Sequence, residues 1–187
     1  MRVVAGRYKG RRLTAPRGSA TRPTQDKVRE SVFNLLGPIE GARVLDLYAG
    51  SGALGVEALS RGAASVTFVE SDTAALRAIR SNLELVGTEE GRVVRANVAS
   101  FLAQAARRGG SWDLAFCDPP YRLAHRLGRD LGELLSPVLD PEARVVCESS
   151  VRHPLELQLP LQKQRRYGDT VIAVYTPPQG CERAHAG

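Results

Sequence analysis

Arg43-Val-Leu-Asp-Leu-Tyr-Ala-Gly-Ser-Gly-Ala-Leu-Gly55 decides how the rest of the chain is read. Its first half is a short apolar run of strand type, and its second half opens a helix-like segment. Gly50, Gly52 and Gly55 make the G-x-G-x-x-G spacing between the two. Glycines there permit a tight turn and let a ligand approach the backbone closely. The alternation continues outward. Strands are expected at 43–48, 65–70, 92–96, 112–117 and 143–148, with helices near 53–61, 72–86, 99–108 and 124–136. Gly62 and Gly87 stand where helices should end. Such an order gives right-handed βαβ units, so the fold expected is α/β and Rossmann-like, a mostly parallel sheet with helices on both faces.

The flanks follow from the same signals. Residues 2–14 suggest two short strands about the Lys9-Gly10 turn. Thr24 fits an N-cap for a helix over 25–36, ended by Gly37-Pro38, with Val28, Val32, Leu35 and Leu36 on its buried face. Residues 164–167 and 170–175 form a closing hairpin about Gly168-Asp169. The division expected is a basic arm over 1–23, one domain over 24–176, and a tail over 177–187 without order of its own.

The glycine loop calls for a nucleoside-bearing cofactor. Glu70 ends the second strand 20 residues after Gly50, where a carboxylate can accept hydrogen bonds from both ribose hydroxyls. A pyrophosphate would use the helix N-terminus. Asp46 argues against one, because a carboxylate four residues before Gly50 repels phosphate. It suits a cationic ligand such as a sulfonium amino acid. S-adenosylmethionine carries a ribose, an ammonium and a sulfonium, and no phosphate. Asn97, after the third strand, suits either the adenine ring or a helix N-terminus.

Asp118-Pro119-Pro120-Tyr121 follows the fourth strand. Loops at the C-terminal strand ends of such a sheet meet, so this loop should face the glycine loop. The prolines stiffen it and donate no hydrogen bond. What remains are acceptors, the Asp118 carboxylate and nearby carbonyls, and the flat face of Tyr121. An aromatic exocyclic amine is a poor nucleophile because its lone pair is delocalised into the ring. Two acceptors gripping its hydrogens turn that lone pair toward an incoming methyl group. Stacking on Tyr121 would hold a splayed-out base. The chemistry implied is methyl transfer to a base amine, by positioning and electrostatics.

Charge and composition bound the setting. The chain has 187 residues and a net charge of +6, enough for one domain with its own core. Residues 1–30 hold nine basic groups against two acids, so the excess sits in the arm and the remainder is near neutral. A concentrated positive segment attracts polyanions. No apolar run is long enough to span a bilayer, and no apolar segment follows the first basic residues. A cytoplasmic protein with no membrane partner is expected. Cys117 and Cys147 lie in apolar strands as small hydrophobes, and Cys181 sits in the polar tail. His125, His153 and His185 have no metal-ligand spacing, and no metal is expected.

Several stretches together resemble a known family. They are Arg22-Pro-Thr-Gln-Asp-Lys-Val-Arg-Glu-Ser-Val-Phe-Asn34, Asp46-Leu-Tyr-Ala-Gly-Ser-Gly-Ala-Leu-Gly55, Glu57-Ala-Leu-Ser-Arg-Gly62, Val69-Glu-Ser-Asp72 and Asp118-Pro-Pro-Tyr121. From about residue 3 to 176 the chain is similar to the RsmD family of bacterial 16S ribosomal RNA guanine-N2 methyltransferases. The resemblance implies a class I S-adenosylmethionine-dependent methyltransferase, seven-stranded with the last strand antiparallel. It implies S-adenosylhomocysteine as product and a guanine of 16S rRNA, conventionally guanine 966, in the 30S subunit or an assembly intermediate. A monomer is expected. By position, Thr24, Asp46, Tyr48, Gly50, Ser51, Gly52, Glu70, Ser71, Asn97 and Val98 would surround the cofactor. Asp118, Pro119, Pro120 and Tyr121 would handle the base. Arg7, Lys9, Arg11, Arg12, Arg22 and Arg29 would grip RNA. Asn97-Val98 stands where the family commonly has Asp-Ala.

Three other readings are weighed against this one. An NAD-dependent dehydrogenase uses the glycines and Glu70 but leaves Asp46 and residues 118–121 idle. A non-catalytic RNA-binding assembly factor would not need the acceptors at 118–121. A DNA adenine-N6 or cytosine-N4 amine methyltransferase shares the chemistry, but the compact chain leaves little room for a sequence-reading domain.

Overall fold

A computed structural model describes residues 1–16, 23–120, 128 and 130–178, with backbone alone at 23–25. Arg22, Tyr121 and the tail from 179 lie outside the described residues, as do two of the three histidines and Cys181. Among the described residues the order is α1 (Pro23–Leu36), β1 (Arg43–Leu47), α2 (Ala53–Ser60), β2 (Ser65–Glu70), α3 (Thr73–Val86), β3 (Gly91–Arg95), α4 (Val98–Arg107), β4 (Trp112–Cys117), a 3-10 turn (Ser136–Val138), β5 (Leu139–Ser150), β6 (Leu161–Tyr167) and β7 (Thr170–Tyr175). Residues 130–135 are helical. The strands form one sheet in the order β3-β2-β1-β4-β5-β7-β6. Strands β1 to β5 pair in parallel, and β7 runs antiparallel between β5 and β6. This is the expected Rossmann-like methyltransferase sheet with its closing hairpin. Among the described residues no helix is long and apolar enough to cross a membrane.

Strand parity divides the core into two layers. Val44, Phe68, Leu114, Phe116 and Val146 pack on one face with Val32, Phe33, Val56 and Ile79 of α1, α2 and α3. Leu45, Leu47, Ala115 and Val145 face the other way, onto Leu102 of α4 and Leu131 and Leu135. Phe33 and Phe116 meet edge to face at 5.7 Å. Parity also places Asp46, Asp118 and Glu148, each two residues beyond a member of the first layer, on the α1–α2 side of the sheet.

Gly55 shows why the loop needs its third glycine. A Cβ there would lie 2.2 Å from Cε1 of Phe68 and 2.8 Å from Val66. Any side chain would push α2 off the sheet, at a cost of about 1–3 kcal/mol.

Several boundaries differ from the sequence reading, among them the start of β6 at Leu161 rather than 164. Helix α1 begins at Pro23, so Thr24 lies inside its first turn and is not its N-cap. Proline at a first helical position is favoured because it lacks the N–H that would be orphaned there. Strand β5 starts at Leu139, not 143, because Leu139 pairs with Trp112 across a register shift. Asp140-Pro141-Glu142 interrupts the apolar pattern there and hides the extension. Helix α4 starts at Val98. The N-terminal hairpin is a single bridge, Arg2 to Arg12, and not two strands.

The arm draws its order from buried polar side chains of the body. Glu57, fully buried in α2, accepts the Val4 and Ala5 N–H groups at 2.7 and 3.0 Å and the Arg61 Nε–H at 2.8 Å. Ser60 Oγ accepts from Tyr8 N at 2.9 Å, and its carbonyl accepts from Arg7 N at 2.8 Å. Gly6 approaches that carbonyl so closely that a Cβ would sit 1.7 Å from it. Asn82 of α3 accepts from Thr14 N at 2.8 Å, and its amide donates to Thr14 O and to Ser51 O in the glycine loop. Each clamp satisfies polar groups that burial would otherwise orphan. Protein contacts alone therefore hold residues 3–14 on the body.

Candidate active site

A cleft opens at the C-terminal ends of β1, β2, β4 and β5, where ligands bind in open α/β sheets. It has two lobes that share Tyr48, Gly50 and Asp118 as walls. The larger, about 500 Å³, is lined by Val69, Glu70, Ser71, Ala96, Asn97, Val98, Pro119 and Pro120. The smaller, about 290 Å³, is lined by Met1, Pro16, Arg29, Asp46, Ala49, Ser51, Ala53, Leu54 and Glu148. The glycine loop and the Asp118 loop, far apart in sequence, do face each other.

The glycine loop is held in a left-handed course. Gly50 and Gly52 have φ of 55° and 75°, and Tyr48 has φ 57°, which is costly for a side-chain-bearing residue. Glu70 supports this turn. Its Oε2 accepts the Gly50 N–H at 2.9 Å, and its Oε1 accepts the Ser71 and Asp72 N–H groups at 2.7 and 2.8 Å. A carboxylate has roughly four acceptor positions. Three are taken by these N–H groups, which leaves one vacant. Gly52 caps α2 in a left-handed conformation.

Asp46 is 2% exposed and accepts the Gly55 N–H of the first turn of α2 at 3.0 Å. It therefore fills the helix end that a pyrophosphate would need. Burial pushes its pKa up to about 8, against the Gly55 hydrogen bond and with the help of the Glu70 charge. Asp118 is open to the cleft, but protein surrounds the cleft walls. That desolvation, with the Glu148 and Asp46 charges, pushes its pKa well up. Burial raises Glu148 in the same direction. The Tyr48 phenol is pushed to about 12 by burial and stays a neutral donor. Carboxylates crowded this way favour a cation and disfavour phosphate. The donor and acceptor set fits a ribose-bearing cationic ligand such as S-adenosylmethionine.

The remaining expected residues divide. Asn97 acts as the N-cap of α4, accepting from Ala99 N at 2.9 Å and Ser100 N at 3.4 Å, while still lining the larger lobe. Ser51 and Val98 line the cleft as expected, while the Gly52 position is packed against Ile79 and Phe68. Thr24 has backbone alone described. Arg29, expected among the RNA-gripping cations, is 4% exposed. Its guanidinium donates to Arg2 O and to Asp26 at 2.9 Å and lies 3.6 Å from Glu57. It joins α1 to the arm and α2, so it is no free fork for a phosphate. Arg7 stacks over Tyr8 at 4.7 Å and pairs with Glu90. Arg11 donates to Leu85 O at 3.2 Å. Lys9 and Arg12 are exposed. Cys117 and Cys147 are buried and free. Among the described residues no group of histidine, cysteine or carboxylate side chains could hold a metal.

Sequence reasoning missed Glu148, Met1 and Pro16 as cleft residues. Glu148 did carry a signal: it is a carboxylate near the end of an apolar strand, as Glu70 and Asp118 are. Met1 and Pro16 carried none, since the fold of the arm brings them there.

Comparison with known proteins gives the family of the chain. The family described as Conserved hypothetical protein 95 matches residues 1–176. The chain is 39% identical over 189 residues to a putative rRNA methyltransferase, YlbH, of Bacillus subtilis, covering 94% of this chain and 98% of the relative. It is 46% identical over 123 residues to Ribosomal RNA small subunit methyltransferase D of Escherichia coli, covering 65% and 61%. Among solved structures, a putative methyltransferase, yhhF, from Escherichia coli superimposes with a TM-score of 0.80 at 37% identity, over 95% of this chain and 97% of that one. The chain belongs to the Conserved hypothetical protein 95 family, the RsmD family its motifs resemble.

Proposed function

We propose that this protein transfers a methyl group from S-adenosylmethionine to the exocyclic N2 of a guanine in small-subunit ribosomal RNA, at guanine 966 in conventional numbering. The observation that carries the reading is the cleft itself. Asp46 closes the phosphate-binding end of α2, while Asp118 and two prolines present acceptors across from the glycine loop. The names of the relatives, both rRNA methyltransferases, supply the substrate class.

When bound, S-adenosylmethionine supplies an electrophilic methyl on a good leaving group. The remaining work falls to the chain. Glu70 takes a ribose hydroxyl on its vacant acceptor position, and Asn97 and Val98 flank the adenine. Asp46 faces the cationic amino-acid end and ionises more readily there. Asp118 and the Pro119 carbonyl grip the two N2 hydrogens and turn the lone pair toward the methyl group. The Asp118 carboxylate is also placed to take the proton that leaves after transfer. The stiff proline loop keeps these acceptors fixed. Tyr121, by position, stacks on the splayed-out base. The protein works as a monomer in the cytoplasm on the 30S subunit or its assembly intermediate, with the arm toward RNA.

The test is methyl transfer from labelled S-adenosylmethionine to naked small-subunit RNA, assembled 30S particles and DNA in parallel. The products are digested to nucleosides. N2-methylguanosine from RNA or particles is the expected product. Label in DNA as N6-methyladenine or N4-methylcytosine would keep the chemistry and overturn the substrate. No label anywhere with the cofactor bound would overturn the enzyme reading.

A further inference from the structure

The smaller lobe holds a carboxylate that methyl transfer as derived above does not use. Glu148 lies on β5, one step beyond Cys147, and Cys147 pairs in register with Cys117 of β4. Asp118 follows Cys117 in the same way. The two carboxylates therefore leave neighbouring parallel strands at the same level and, by parity, on the same face. Both line the smaller lobe. Neither accepts a hydrogen bond from another described residue. The guanidinium in that lobe, Arg29, donates from one terminal nitrogen to Asp26 and Arg2 O, and its Nε lies 3.6 Å from Glu57 without a hydrogen-bond partner among the described residues. In their ionised form these are two adjacent acceptor-only groups facing one cavity, and among the described residues none donates a hydrogen bond to either.

Guanine is the base whose amine edge answers that arrangement. Its N2 amine and its N1–H stand side by side, three donor hydrogens on one edge. Adenine and cytosine each carry a bare ring nitrogen with a lone pair beside the amine. Resting on the methyl-transfer reading above, we propose that Glu148 selects guanine by accepting its N1–H while Asp118 holds the amine. A base with a lone pair at N1 would set that lone pair against the carboxylate and leave the buried acceptor unmatched. Sites that demand a hydrogen bond in this way discriminate far better than apolar pockets do. Glu148 is thus a specificity-determining residue for the same site.

The experiment compares two synthetic RNAs that span the methylated position mapped by nucleoside digestion. One carries guanine there and the other 2-aminopurine, which keeps the 2-amino group and has a lone pair at N1. Wild-type protein is expected to favour guanine by about a hundredfold or more in kcat/KM. Glu148→Gln offers an amide that can donate as well as accept. It should lower the rate on guanine, raise that on 2-aminopurine, and shrink the ratio by at least about tenfold. Because the ratio is taken within one protein, partial misfolding cancels, and S-adenosylhomocysteine affinity checks the fold of the variant. An unchanged ratio in a variant that still forms N2-methylguanosine overturns the role of Glu148 and leaves the methyltransferase reading standing. A wild-type protein that forms no N2-methylguanosine on the guanine RNA overturns both.

Discussion

On the β1–β2 side of the cleft the carboxylates are already engaged. Glu70 accepts three backbone N–H groups and Asp46 accepts one. On the β4–β5 side, Asp118 and Glu148 accept none from the described residues. The first side is a preorganised socket, its loop geometry fixed before a ligand arrives. On the second side the acceptors are unmet among the described residues, and a ligand that meets them must bring its own donors. The same residue type thus shapes backbone on one side and reads a substrate on the other.

The largest effect should come from the unmet side. Asp118→Ala removes an acceptor and the proton's destination, so kcat for methyl transfer should fall by about a thousandfold. Affinity for S-adenosylhomocysteine, read by calorimetry, should change only slightly. Equal losses in both would break the division between the two sides.

Glu70→Ala should do the reverse. It frees three N–H groups of the socket and should weaken S-adenosylhomocysteine binding by about 10–100-fold, the size of charge-assisted hydrogen bonds. Single-turnover methyl transfer at saturating cofactor should recover most of the wild-type rate. Binding at wild-type strength would show that Glu70 shapes nothing.

A third measurement sharpens the electrostatic half of the comparison. The folded pKa of Asp46 is raised to about 8 from an ordinary 3.8, so the folded protein holds a proton that the unfolded chain releases. Its stability contribution is fully present below pH 3.8 and is lost as pH rises through 8. Ligand-free protein should lose up to about 1.4 kcal/mol per pH unit from this group within that window. Denaturation series at several pH values would show it, and Asp46→Asn should flatten the slope. Cationic cofactor binding should release protons near neutral pH, seen as buffer-dependent binding enthalpy.

The smallest effect concerns the arm. Lys9→Ala with Arg12→Ala should flatten the salt dependence of RNA binding, by about 0.7–0.9 in log–log slope for each lost phosphate contact. Arg7→Ala should do less, because Arg7 already pairs with Glu90. Equal slopes for all variants would confine RNA recognition to the cleft.

The glycine loop, the five parallel strands and the Asp118 loop were legible because each is local: a period, a turn residue, a motif at a strand end. The clamps on the arm were not. Glu57 sits in a helix where a glutamate ordinarily faces water, and its partners Val4 and Ala5 are more than 50 residues away. Arg29 looked like another basic arm residue for the same reason, since its burial depends on α2 and the hairpin closing around it. Asn97 left two roles open in sequence, and the structure has it capping α4 from the rim of the larger lobe. The start of β5 stayed hidden because its pairing with Trp112 overrides a local Asp-Pro signal.

The clamp on the arm also sets an order of events in synthesis. The arm leaves the ribosome before the body, yet Thr14 waits for Asn82, which is 68 residues behind it. At translation speeds of about 5–20 residues per second, that is a delay of roughly 3–14 s. For that interval the most positively charged part of the nascent chain has no seat, beside a particle made largely of RNA. Completion of α3 ends the interval, when folding itself draws the arm down onto the body.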